Sequence, residues 1–377
     1  MTRHLFFYGT LRDAETLAAV MGPFSDVIDA VEATLADHAV LEVLGEDYPV
    51  IAARDGETAR GLLVSNLPQG AVERLSYFED EFDYALEICT VLTPEGPREA
   101  EVFFVRGDHL ATGGAWDFEA WSRENQSAFV ECAYELMALF GQVPDDEVDR
   151  IWPGIRFRAY ARARAKAEEP VVVHRSGLGR ADVELERIER PYVDYFAVED
   201  LRLSHRTFAG KMQGPMDRAV LVSGDAVAVL PWDPRTDRVL MIEQFRPAPF
   251  ARGAEVPWLL EPVAGRIDSI ETAEQTARRE ATEEAGITLG RMDALPPFYS
   301  SPGCLTEQMS CYIGEADLSQ AGGVHGLEGE SEDIRSVLVG VDELRDMLTS
   351  GEVENGPLIV LIQHLLIHHD RLRAAWA

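Results

Sequence analysis

Lysine is nearly absent from this chain. It occurs only at Lys166 and Lys211, so almost all of the 34 basic residues are arginine. Against them stand 66 acidic residues, a formal net charge of −32. Such a surface repels polyanions, which argues against a nucleic-acid or anionic-membrane binder. Any phosphate group bound here needs local cations, either arginines or metal. Cysteine is also scarce, at Cys89, Cys132, Cys304 and Cys311. No pair has Cys-x-x-Cys spacing and no histidine cluster accompanies them. A disulfide framework or zinc site is therefore not expected, and free thiols in a reducing compartment are. Long apolar runs are missing too. The stretch Pro357 to Ile367 is broken by Gln363 and His364 and is too short to span a membrane. Met1 to Arg12 does not read as a signal peptide. A cytoplasmic protein is expected.

The 377 residues are enough for two domains. The first half reads as strands at Leu5–Tyr8, Val40–Val50 and Arg60–Val64, and a short helix at Gly70–Phe78. A strand pair follows, Thr90–Leu92 and Ala100–Val105, joined across Pro94 to Pro97. Apolar residues recur at helical spacing from Phe118 to Phe140. Pro153-Gly154 then reads as a break, and Arg156–Ala167 as a surface helix. The domain boundary is expected within 169–183, giving domains at 1–168 and 184–377. The second half opens with Val183–Arg190 and Tyr195–Phe208, followed by strands at Ala226–Pro231 and Val239–Phe245. A helix is expected at about Ala273–Ala285, and a closing helix at Leu358–Trp376.

The pattern richest in chemistry runs from Gly265 through Glu271, Arg279-Glu280-Ala281 and Glu283-Glu284 to Gly286-Ile287. Residues four apart share a helix face, so Glu280 and Glu284 project together, with Glu283 beside them. Three carboxylates this close repel unless a cation lies among them, and hard oxygen ligands select magnesium or manganese. Gly286 suits a helix C-terminus. A merely solvated acidic helix would not require this fixed pattern.

These residues form the complete Nudix box, and the second half resembles the Nudix ADP-ribose pyrophosphatases from about Val183 to Ala377. Supporting segments include Ala228 to Pro234, Ile242 to Arg246, Trp258 to Glu261, Ser301-Pro302-Gly303 with Glu307, and Glu330 to Arg335. GDP-mannose hydrolases share much of this framework. The resemblance implies a homodimer in which Glu280, Glu284, Glu332 and the Ala264 carbonyl hold two or three magnesium or manganese ions. Glu283 supports the metal site, and Arg279 orients the carboxylates by pairing with Glu271. Glu330 is the implied general base. Arg246 and Arg218 are the implied diphosphate contacts, with Glu307 and Tyr195 as further substrate contacts. The implied reaction is metal-dependent hydrolysis of ADP-ribose to AMP and ribose 5-phosphate. A non-catalytic ADP-ribose sensor is the rival, and the intact box argues against it.

Tyr8-Gly9-Thr10-Leu11, directly after a strand, resembles the opening motif of the γ-glutamylcyclotransferase-like family. Asp47-Tyr48-Pro49, Arg60-Gly61-Leu62 and Leu75 to Tyr84 extend the match. The resemblance implies a β-barrel with attached helices. Its Tyr8–Leu11 turn would bind a carboxylate, and Glu79 would act as acid/base in closing 5-oxoproline. Asp80 and Ser76 depart from the family pattern, and Glu81 is a near neighbour of the candidate base. A ligand-binding or packing role for this half is the alternative, as is a γ-glutamyl enzyme with an accessory Nudix half. The whole reads as an α+β fusion of such a barrel with a Nudix α/β/α sandwich. Some fusions of this kind carry a tellurite-resistance label, which no residue here explains.

Overall fold

The computed structural model describes residues 3–80, 84–107, 110–169, 171–326 and 332–376, without the side chains of Val27 and Asp80. The chain divides into two compact units. One comprises Met1–Glu184, Arg190–Ala197 and Ser204–Gly214, and the other Leu185–Glu189, Val198–Leu203 and Pro215–Ala377.

The first unit contains β1 (Arg3–Phe7), α1 (Ala14–Met21), β2 (Asp29–Val43), β3 (Pro49–Leu67), α2 (Gln69–Asp80), β4 (Tyr84–Thr93), β5 (Gly96–Val105), β6 (Thr112–Ala115), α3 (Phe118–Met137) and α4 (Val148–Ala167). Its strands run in the order β3-β1-β5-β4-β2, and β2 pairs back onto β3, so the barrel closes; β6 adds to β2. The β1–β5 pair is parallel and the β1–β3 pair antiparallel. Side chains along β1 alternate between two cores. Phe6 joins the barrel interior, whereas Leu5 and Phe7 pack with the helices. The expected strand Val40–Val50 is in fact the end of β2, a turn, and the start of β3. The turn contains Gly45 at φ +87, a conformation suited to glycine.

Helix α4 also corrects the sequence reading. It continues through Pro153, where a proline ordinarily costs a backbone hydrogen bond. Packing offsets that cost: Ile151, Trp152 and Ile155 are buried in the core, and the expected surface helix Arg156–Ala167 is itself buried at Ala159 and Tyr160 and exposed only toward its end. Arg158, on the same helix, is fully buried. Its Nε donates to Glu135 Oε1 of α3 at 2.6 Å, and its Nη1 donates to the Asp194 carbonyl at 3.0 Å. Arg162 also pairs with Glu135.

A separate three-stranded sheet has the order β7 (Val183–Val193), β8 (Ala197–Arg206), β9 (Met212–Val222). The third of these strands was not expected, because Gly214-Pro215 within it reads as a turn.

The second unit continues with β10 (Ala226–Asp233), β11 (Arg238–Phe245), α5 (Pro247–Arg252), β12 (Trp258–Glu261), β13 (Val263–Arg266), α6 (Ala273–Ala285), β14 (Leu289–Ala294), β15 (Phe298–Tyr299), β16 (Gln308–Ala316), β17 (Val324–His325), β18 (Ile334–Gly340), α7 (Leu344–Ser350) and α8 (Gly356–Trp376). The main sheet has the order β14-β16-β10-β11-β18-β17, with β12, β13 and β15 added at its sides. The apolar run along β10 reflects burial on both faces. Val227 and Val229 meet the α6 side, while Ala228, Leu230 and Trp232 meet α7 and α8. The result is the expected α/β/α sandwich. No described helix is long and apolar enough to cross a membrane.

Removing one partner of a buried ion pair leaves the other charge buried and uncompensated. Glu135→Ala should therefore cost about 3–5 kcal/mol, whereas replacing Glu135 and Arg158 together with apolar residues of similar volume should cost much less. Urea unfolding of the two variants checks this; equal losses would contradict it.

Candidate active site

Helix α6 is specified at both ends. Thr272 and Gln275 form a reciprocal cap, with Thr272 N–H donating to Gln275 Oε1 at 2.8 Å and Gln275 N–H donating to Thr272 Oγ1 at 3.3 Å. Gly286 ends the helix at φ +64. The helix lies against β13, and this contact places two carboxylates. Ala264 N–H donates to Glu284 Oε2 at 2.9 Å, leaving its carbonyl on the same short strand. A Cβ at Gly265 would fall 1.9 Å from Glu280 Oε1, so only glycine leaves room for that carboxylate.

Arg279 gathers the rest. Its Nε lies 3.1 and 3.2 Å from the two Glu271 oxygens, and its Nη1 donates to Glu280 Oε1 and Glu283 Oε2, each at 2.8 Å. Thr276 Oγ1 steadies Glu271 from the other side at 2.9 Å. Even so, the cluster carries more negative charge than Arg279 neutralises. Burial first pushes the Glu280 carboxyl up to about 7, Arg279 opposes this, and Glu283 and Glu332 add repulsion. Burial likewise pushes Glu284 up to about 8, with Glu280 and Glu332 adding to the rise. Glu332 is thus close enough to act on both helix carboxylates.

Among the described residues, no group of three His, Cys, Asp or Glu side chains is arranged to hold a metal ion. The donor set nonetheless suits a hard divalent cation. It consists of carboxylate oxygens with a backbone carbonyl alongside, and it has an excess of buried negative charge that a cation would relieve. Glu330, the expected general base, lies outside the described residues.

Arg246 follows β11. It donates to Glu261 Oε2 through Nε at 2.8 Å and lies 2.6 Å from it through Nη2. The buried Glu261 also accepts from Gln244 Nε2 at 3.2 Å and from Asn355 Nδ2 at 3.0 Å. Sequence reasoning missed this holder of Arg246, although a glutamate ending the apolar strand β12 was a usable signal. Arg218 is exposed on β9 and donates to the Asp217 carbonyl at 2.8 Å; among the described residues it makes no hydrogen bond or ion pair with the box. Glu307 accepts from Ser300 Oγ at 2.9 Å, and burial raises its carboxyl. The Ser301 to Leu305 loop is anchored to β9, with Leu221 N–H donating to the Cys304 carbonyl at 2.7 Å. Tyr195 belongs to the other unit, where its exposed ring meets Phe196 edge-on.

In the first unit, Tyr8, Gly9, Thr10 and Leu11 line one pocket together with Glu79, Tyr84 and Pro49; its volume, mouth included, is about 360 Å³. A single 3₁₀ turn spans Thr10–Arg12, leaving the Thr10 and Leu11 N–H groups unused by the turn itself. A Cβ on Gly9 would meet Pro49 at 3.2 Å, so the turn packs closely there. Burial pushes the Glu79 carboxyl up to about 8. Burial and then the Glu79 charge hold the Tyr8 phenol well above its usual range. Asp47 fixes the adjoining strap, pairing with Arg156 at 3.0 Å and accepting from Tyr160. Glu81 lies outside the described residues.

Comparison with known proteins agrees with this division. The NUDIX domain model matches residues 222–360, and the gamma-glutamyl cyclotransferase, AIG2-like model matches residues 5–118. An ADP-ribose pyrophosphatase of Escherichia coli is 39% identical over 199 residues, 53% of this chain and 95% of that protein. The Haemophilus influenzae protein of the same name is 33% identical, covering 52% of this chain and 91% of its own length. A GDP-mannose pyrophosphatase of Escherichia coli is 32% identical over 152 residues, 40% of this chain and 78% of that protein. The chain belongs to the Nudix family, and carries its Nudix domain behind an N-terminal domain of the γ-glutamyl cyclotransferase, AIG2-like family.

Proposed function

We propose that the Nudix domain, bounded at 184 after a linker of 169–183, hydrolyses the diphosphate bond of ADP-ribose to AMP and ribose 5-phosphate. The observation that carries this reading is the pairing of half-buried Glu280 with buried Glu284 beside β13, with the Glu332 charge acting on both and one arginine to offset them. The likeness to ADP-ribose pyrophosphatases along 95% of their length supports the choice of substrate. Glu280, Glu284, Glu332 and the Ala264 carbonyl would hold two or three magnesium or manganese ions, with Glu283 in support. Bound divalent ions supply charge withdrawal from phosphorus and a lowered pKa for water.

The remaining work falls to the chain itself. Arg279 keeps the helix carboxylates in place. Arg246, held by Glu261, and Arg218 bind the diphosphate, since a guanidinium fork matches its oxygens. Glu307 contacts the rest of the substrate. Glu330 takes the proton from the attacking water. GDP-mannose is the second candidate substrate, supported by the GDP-mannose pyrophosphatase relative. The exposed aromatic face of Phe245, Phe250 and Trp258 favours a homodimer through this domain. Four free cysteines fit a cytoplasmic setting.

Glu284→Gln should lower turnover at least about a hundredfold, since even groups behind a metal ligand contribute 10–100-fold. Circular dichroism should be unchanged. Excess chelator should abolish activity and magnesium should restore it. Over a panel of diphosphates, ADP-ribose should give the highest kcat/KM. Undiminished hydrolysis in chelator would refute the metal assignment, and a preferred nucleoside triphosphate would refute the substrate.

For the N-terminal pocket, we propose γ-glutamyl cyclotransfer. Tyr8 to Leu11 would receive the substrate carboxylate on backbone N–H groups, and Glu79 would accept a proton from the α-amine. That nitrogen attacks the γ-carbonyl, forming the ring C–N bond. The amine leaves with a proton as its C–N bond breaks, releasing 5-oxoproline. A base must be ionised, and Glu79 ionises only as the pH passes about 8. The rate should therefore rise with pH through about 8 and fall away below it. Glu79→Gln in the full chain should stop 5-oxoproline release from γ-glutamyl amines or dipeptides. Absence of release over a broad γ-glutamyl panel would leave this pocket a binding site.

A further inference from the structure

Glu332 lies at the start of the segment leading into β18, and two glycine contacts define its surroundings. Strand β17 pairs antiparallel with β18, with Val324 opposite Arg335 and His325 opposite Ile334. Gly326 follows at φ +109, a conformation that L side chains rarely adopt. A Cβ on Gly326 would lie 2.7 Å from Glu332 Cβ, 2.9 Å from its carbonyl oxygen and 3.1 Å from its carbonyl carbon. The Glu332 backbone therefore rests directly on the bare α-carbon of residue 326.

The preceding residue makes the opposite contact. The His325 ring packs over Gly286 at the end of α6, where an added Cβ would meet His325 Cε1 at 3.0 Å. His325 Nε2 is fixed 3.0 Å from the Gly322 carbonyl oxygen. The two-residue strand is thus wedged between the end of the box helix and Glu332. Any thickening at residue 326 shifts Glu332, because the other side of the strand already bears on α6.

We infer that Gly326, with His325 behind it, is a positioning residue: it seats Glu332 against the carboxylates of Glu280 and Glu284. The inference rests on the reading of Glu332 as a metal-holding residue. Glycine is needed at 326 twice over, for its positive φ and for the space that a methyl group would take from Glu332.

Manganese alone is the probe, with free Mn2+ measured by electron paramagnetic resonance on the full chain. Gly326→Ala should bind Mn2+ about tenfold or more weakly, the loss typical of groups that orient a metal ligand. Gly351→Ala is the control for backbone strain. Gly351 has φ +83 but nothing within 4 Å of an added Cβ, so this variant should bind Mn2+ as the wild type does. His325→Ala removes the second contact without imposing a strained φ, and should weaken Mn2+ binding in the same direction even if Gly326→Ala folds poorly. Glu332→Gln separates the two readings. If it weakens binding while folded Gly326→Ala and His325→Ala do not, the seat is overturned and the metal role stands. If Glu332→Gln binds Mn2+ normally, the metal role of Glu332 fails and the seat falls with it.

Discussion

Glu280, Glu283 and Glu284 project from little more than one turn of α6, and Arg279 reaches back along the helix to hold the first two of them with Glu271. The second unit is arranged around that concentration of like charge. The cap at Thr272 and the left-handed Gly286 fix where the helix begins and ends. Strand β13 lies against it, giving Glu284 a backbone N–H and Glu280 the room left by Gly265. Burial first, and then repulsion that one guanidinium does not offset, raises the Glu280 and Glu284 carboxyls. A site of that kind is poised for a cation, and for a substrate whose own negative charge the surrounding acidic surface would otherwise repel.

The pocket of the first unit also raises a carboxyl by burial. Among the described residues, Glu79 is the one carboxyl lining its pocket, with phenols around it and no arginine. Its raised pKa comes from lost solvation rather than from neighbouring acids. Burial is the first cause at both sites; neighbouring acids add to it at Glu280 and Glu284, whereas at Glu79 it acts alone. On the proposed reading, one gathers charge for metal chemistry, and the other isolates a single proton acceptor.

Much of this could be read from the sequence because the relevant signals are local. The spacing of Glu280, Glu283 and Glu284 is a helix property, as is Gly286 at its end. The apolar run along β10 and the Tyr8–Leu11 turn after β1 are equally local. What escaped depends on contacts across the fold. Glu261 holds Arg246 from a neighbouring strand, and Asn355 reaches the same carboxylate from 94 residues away. Pro153 read as a break because propensity argues against proline in a helix, yet tertiary packing of Ile151, Trp152 and Ile155 carries α4 through it. Strand β9 was hidden by Gly214-Pro215. His325-Gly326-Leu327 belongs to the segments that carry the Nudix resemblance, but a role for Gly326 is not legible there; only its contact with Glu332 gives it one.

The most direct test is to follow the oxygen. The full chain, incubated with ADP-ribose and magnesium in heavy-oxygen water, should yield only AMP and ribose 5-phosphate, with one solvent oxygen entering a single phosphate for each bond cleaved. Mass spectrometry of the products reads this. Attack of water at phosphorus between the box carboxylates predicts that label. ADP and free ribose as products, or cleavage without solvent oxygen in either phosphate, would contradict it.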